Sequence, residues 1–319
     1  MALPTNYKDI LLQKDDYILA ATKKLNAYLS TYQNAVLREI TQTLLGELDV
    51  DAAGNILNTL KNYRIVSEVD TVIQQFVDAN SGKIQSTILT TARKIGAFNA
   101  TYFTIAASGQ TLSRINAVKK ATELKMLGRL GYINDLIISG GFLENFTNPA
   151  AIVDNVAQTV INAITGQTGV KDLVSTLESQ LTGGENLGIM ERRLNGFAHD
   201  VFNQYDRGYA GNMATEFGME FFVYEGGLIE DTRDFCREMN GRVFHVSEVE
   251  AWRTWTPSKI TRGFKPKQKC LTCVPSYLDF AGYEPLIDLG GYNCRHNKAY
   301  ISKEMAYRLR PELKNMKFS

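Results

Sequence analysis

Gly218-Met219-Glu220-Phe221-Phe222-Val223-Tyr224 is the stretch at which the chain changes character. Phe221 to Tyr224 is an unbroken run of aromatic and β-branched residues. It is too short for a helix and of the composition a buried strand takes. Before it, residues 1 to about 217 contain only Pro4 and Pro149 and repeat apolar residues at helical intervals. After it comes a second strand-like run, Val243-Phe244-His245-Val246. Five of the seven prolines lie beyond residue 256, and glycine pairs stand at 226–227 and 290–291. The predicted fold is therefore a mainly α N-terminal region of long helices followed by a small α+β C-terminal module, divided as residues 1–165 and 166–319.

The helical reading rests on spacing. Ile84, Ile88, Ile95, Phe98, Tyr102 and Ile105 share one face. Asn148-Pro149 supplies a cap and a first-turn proline for a helix carrying Ile152, Val153, Val156, Val160 and Ile164 to Gly166. Val170, Leu173, Val174, Leu177 and Leu181 define the next, stopped by Gly183-Gly184. A longer helix from Leu187 to Phe217 buries Met190, Leu194, Phe197, Val201, Phe202, Tyr205 and Tyr209. A last one spans Ser302 to Leu309, closed by Pro311. These stripes read as core packing.

The chain of 319 residues is long enough for two domains, and 44% hydrophobic with 22% charged residues is the balance of a folded protein. A net charge of +1 leaves no global field to select a nucleic acid or a membrane. Residues 1–10 lack the pattern of a secretory signal, and no apolar run reaches the roughly 20 residues of a membrane helix. The longest, Tyr132 to Leu143, is interrupted by Asn134, Asp135 and Gly140-Gly141. The expectation is a protein folded in a cytoplasm, with no membrane partner.

All four cysteines lie between Cys236 and Cys294. In a reducing compartment such clustering favours metal over disulfides. Cys270-x-x-Cys273 has the spacing that brings two thiolates to one ion, and Cys294-x-His296 adds two donors. With Cys236 there are five candidates for the four positions of a structural zinc. The alternative is a set of reduced, partly buried thiols, with Cys236 filling a core position.

The strongest local signal is Asp231-Thr232-Arg233-Asp234-Phe235-Cys236, followed by Asn240-Gly241 and, some 50 residues later, by Gly290-Gly291-Tyr292-Asn293-Cys294-Arg295-His296. A long helix, a strand, Asp-Thr-Arg-x-x-Cys, a turn at Asn-Gly and a closing Asn-Cys-Arg-His, in that order, resemble the phage Mu protein F-like minor head proteins. The resemblance covers about residues 165 to 302. It departs from the family pattern at His296, where many members have Cys, and in a longer stretch from Ala251 to Pro285. It implies a structural minor head protein, made beside the portal protein, associating with the portal or the major capsid protein and packaged in the virion. Self-association into a homo-oligomer is compatible with that role. Asp231, Thr232, Arg233, Gly241 and Arg295 are read as its structural motif, with Asp231, Arg233 and Arg295 forming a hydrogen-bonding network.

Between Ala251 and Leu278 stand Arg253, Lys259, Arg262, Lys265, Lys267 and Lys269 and no acidic residue, so this segment carries +6 against −5 for the remainder. With Trp252, Trp255 and Phe264 interleaved, it can grip phosphates and stack on bases, giving an alternative reading as a DNA-binding internal head protein. It can equally be a solvated loop with a hydrophobic anchor, or a docking surface for an acidic partner. A metal-dependent nuclease or ejected effector is a third reading, because Cys294-Arg-His-Asn resembles part of a nuclease site. Only His199, His245 and His296 are available, however, and no nucleotide, metalloprotease or hydrolase motif is present. The expectation is that the chain is not an enzyme.

Overall fold

The computed structural model describes residues 4–107, 109–147, 150–182, 189–257, 274–291 and 294–318. It is mainly helical, with a small antiparallel sheet near the C-terminus, as the change at Gly218 predicts. Helices α1 (Thr5–Glu39), α2 (Leu60–Ala106) and α3 (Leu112–Arg129) lead to a two-stranded hairpin, β1 (Tyr132–Ile133) and β2 (Leu136–Ile137). Then follow α4 (Phe142–Thr147), α5 (Ala150–Gly166), α6 (Val170–Thr182) and α7 (Ile189–Glu216). The predicted cap Asn148-Pro149 and stop Gly183-Gly184 lie outside the described residues. Among the described residues no helix is long and apolar enough to cross a membrane.

The chain groups into two compact units that are discontinuous in sequence and do not follow the linear division at residue 165. One contains residues 21–90 and 129–198, the other 1–20, 91–128 and 199–319.

In the unit of residues 21–90 and 129–198, α5 and α6 pack through the stripe read from the sequence. Val153, Val156, Val160 and Ile164 are buried, as are Leu173, Leu177 and Leu181. The interrupted apolar stretch at 132–143 begins as the hairpin. Asn134 and Asp135 both take positive φ, 50° and 63°, as a two-residue type I′ turn requires.

The other unit holds the sheet. Strand β3 (Phe221–Glu225) is central, flanked by β4 (Val243–His245) and β5 (Asn297–Ile301), both antiparallel to it. The first four residues of β3 are buried, consistent with its uninterrupted apolar run. Helix α8 (Asp234–Met239) follows β3, and the Asn240-Gly241 turn returns the chain to β4. Gly241 has φ +79°, and its N–H donates to the Tyr224 carbonyl at 2.7 Å. A left-handed residue at that point favours glycine. A 3-10 helix (Val246–Thr254) follows β4. His245 caps it, accepting from the Ser247 N–H, while Glu248 accepts from the His245 N–H. After α9 (Pro285–Asp288) and β5, helix α10 (Lys303–Leu309) is capped by the Ser302 hydroxyl.

Polar side chains lie inside this unit as well. Lys14 of α1 and Asp206 of α7 form an ion pair at 2.9 Å with side chains 3% and 1% exposed. Asn99 of α2 donates to Asp206 at 2.7 Å and accepts from Lys14 at 3.3 Å. A charge taken out of water needs such partners.

Candidate metal centre

Cys236 sits in the first turn of α8, and Cys294 and His296 lead into β5. All three are buried, and their ligand atoms lie within 4.8 Å of one another. The two sulfurs are 3.8 Å apart, and Cys294 Sγ is 3.9 Å from His296 Nδ1. Two thiolates on one tetrahedral zinc, with Zn–S of about 2.3 Å, are separated by ~3.8 Å, so the pair is spaced for a shared ion. Tyr224 of β3 places its hydroxyl 3.2 Å from Cys236 Sγ and 3.6 Å from Cys294 Sγ, and its ring stacks on His296. His296 Nε2 is buried with no hydrogen-bond partner among the described residues. This cluster can hold a metal ion.

Two glycines open the space. A Cβ at Gly290 would fall on Cys236 Sγ, and one at Gly226 would meet His296 Cα and its ring at 2.8 Å. Their recurrence as pairs in the sequence marks a close approach of backbone to the cluster as well as irregular loops.

The electrostatics favour one negative charge on the sulfur pair. Burial raises the Cys294 pKa, but the hydrogen bond from Cys236, the Arg207 guanidinium and His296 together hold it well below the usual thiol range. The same hydrogen bond, with burial, pushes Cys236 up. A thiolate is the form that binds metal. Arg207, 2% exposed on α7, also fixes the backbone of the site: Nε donates to the His296 carbonyl at 3.1 Å, Nη1 to Ile287 O at 3.0 Å, and Nη2 to Cys294 O. Sequence reasoning missed Arg207, because an arginine on an amphipathic helix ordinarily marks the solvated face.

The expected motif network is corrected in part. Arg233 reaches across to the second stretch, donating to Gly290 O at 2.6 Å. Thr232 braces its own turn by accepting from the Ile229 N–H at 2.7 Å. Asp231 and Arg295 are exposed, and neither has a hydrogen bond or ion pair among the described residues, so they form no network with Arg233. Arg237 donates to the carbonyls of Ile229, Glu230 and Thr232 and does the bracing assigned to them.

Of the five metal candidates, Cys236, Cys294 and His296 come together; Cys270 and Cys273 lie outside the described residues. So do Lys259, Arg262, Lys265, Lys267 and Lys269 of the basic segment. Trp252 is no stacking platform for bases. It is 3% exposed, and its ring meets Phe235 and Phe244 edge-on at 5.3 Å and Tyr224 at 5.7 Å. Trp255 is half-buried and packs on Phe235. Arg253 donates to the Tyr283 carbonyl and pairs with Glu250, which lies just before the segment. His245, sealed against Phe318 at 3.9 Å and used as a helix cap, does not belong to the metal cluster. No protein-family model, no curated protein and no solved structure matches the chain.

Proposed function

We propose that this chain is a structural minor head protein of a tailed bacteriophage, associating with the portal or major capsid protein during head assembly and packaged in the virion, and that its Cys236–Cys294–His296 cluster binds a structural zinc. The observation that supports the reading is the meeting of two stretches more than 50 residues apart. Residues 231–236 and 290–296 carry the resemblance to the Mu F-like proteins, and they touch through Arg233–Gly290 and through the paired sulfurs. The role is non-enzymatic: a buried ion closed in by Tyr224, Gly226 and Gly290 braces a loop-rich module. Bound zinc adds folding free energy on the order of 10 kcal/mol in small modules of this kind.

Two measurements on one preparation test this. Co-expressed with the portal and major capsid proteins of its own gene cluster, the tagged chain is expected to co-elute with one of them. Elution alone while portal rings assemble normally rejects the assembly role. Metal analysis of the same chelator-free protein is expected to return about one zinc per chain, lost in Cys294→Ser together with a lower melting temperature. A zinc content near zero rejects the metal.

A further inference from the structure

On the α1 side of the sheet, a cavity of about 260 Å3 lies between the first turns of α1 and the adjoining ends of β3 and β5. Three oxygen-bearing side chains line it: Asp15, Glu225 and Asn297. Asn297 is 5% exposed. Its Nδ2 donates to Asp15 Oδ1 at 3.1 Å, but its Oδ1 is buried with no partner among the described residues. Glu225 Oε2 is buried and equally unpartnered. Buried acceptors left without a donor are costly, and a native interior rarely keeps two side by side unless something else supplies the donors. Lys8 also lines the cavity and its charge acts on Glu225, but it forms no ion pair at contact distance with either carboxylate among the described residues. The remaining wall is apolar, from Leu11, Leu12 and Ala299.

We propose that this cavity binds an alkylammonium group, whose N–H donors meet Asp15, Glu225 Oε2 and Asn297 Oδ1 and whose stem lies against Leu11, Leu12 and Ala299. An ammonium offers donors and a positive charge and accepts nothing, which complements three acceptors of which two are carboxylates. A bare metal ion fits less well, because it would leave most of the volume to water beside leucine side chains. Desolvation also raises both carboxyl groups, Asp15 to about 6, so a cation in the cavity relieves a charge burden already present. The alkylammonium can come from a free amine or from a lysine side chain of another chain. This inference does not depend on the assembly reading.

The test is calorimetric titration of the full chain with n-butylamine, with 1-butanol, and with Nα-acetyl-lysine N-methylamide. Saturable one-to-one binding of butylamine, at least tenfold tighter than butanol, is expected. Binding of the lysine derivative as well assigns the site to a protein side chain, and its failure while butylamine binds assigns it to free amines. Asp15→Asn and Glu225→Gln should each weaken butylamine at least tenfold without lowering the melting temperature. Gly227 lines the cavity, and a Cβ there meets nothing within 4 Å. Gly227→Val is therefore a second variant that should reduce binding by partial filling. Absence of saturable binding, equal affinity for butanol, indifference to all three substitutions, or displacement of butylamine by equimolar calcium would each overturn the proposal.

Discussion

Burial pushes the Asp15 carboxyl up to about 6, against the opposing pull of Lys14 and with Asp206 adding to the rise. The folded-state pKa lies above the unfolded value of 3.8, so folding takes up a proton between those limits. The stability this group contributes is present in full below about pH 4 and is lost as pH rises through 6. A rise of that size corresponds to about 3 kcal/mol, and partial exposure reduces this to about 2 kcal/mol. Asp15→Asn keeps an Oδ1 to accept from Asn297 and removes the charge. The variant should be more stable than the parent at pH 7 by about 2 kcal/mol, with the gap closing toward pH 4. Urea midpoints at pH 4.5 and 7 measure this, and parallel curves for the two proteins would show that Asp15 is solvated.

At the scale of elements, legibility followed from how closely residue type tracked environment. Helices α5 and α6 were readable because their buried stripes are apolar, and α10 because Ser302 caps it and Pro311 closes it. Helix α7 was readable from Val201, Phe202, Tyr205 and Tyr209, although Asp206 and Arg207 are buried on it as well. Strands β3 and β4 were readable as short apolar runs. Strand β5 was not. Its register sets Asn297 opposite Glu225 and Lys298 opposite Tyr224, so two of its five buried residues are polar and conceal the strand. Lys298 illustrates the cost: full burial depresses its pKa to about 7. The stripe on α1 hides a similar exception. Tyr7, Leu11, Ile18, Ala21 and Leu25 are buried, and Lys14 stands among them on the same face. The metal cluster was legible in part because thiols and imidazoles are chemically distinctive wherever they fall. The sequence leaves Trp252 between base stacking and a hydrophobic anchor, and it is the anchor. Its charged neighbours in sequence suggested a binding loop, whereas the 3-10 helix turns its ring into the aromatic core among Phe222, Phe235 and Phe244. Sequence proximity to a charge says little about which way a side chain faces.

At the scale of the whole molecule, the sheet-bearing unit is assembled from three separated stretches, 1–20, 91–128 and 199–319. Its interior depends on all of them. Lys14 neutralises Asp206, Asn99 bonds both, Tyr102 donates to the Tyr300 carbonyl at 2.6 Å, and Asn297 donates to Asp15. A fragment of residues 166–319 retains the metal cluster and the three strands but loses every partner from α1, α2 and α3. Asp206, 1% exposed in the intact chain, would lose its cation, and removing one member of a buried pair costs about 3–5 kcal/mol. Phe217 and Tyr300 would also lose the ring of Phe103, whose centroid lies 5.8 and 6.4 Å from theirs. Against a typical total stability of about 5–15 kcal/mol, the loss at Asp206 alone is a large share, and the lost aromatic packing adds to it. The fragment is therefore expected to lack native near-UV dichroism and to aggregate, with or without added zinc, while the full chain shows both fixed aromatic packing and bound metal. If instead the fragment gave native-like aromatic dichroism and a cooperative thermal transition, its core would be self-sufficient, and the buried bonds to residues 14, 99 and 102 would count as accessory contacts.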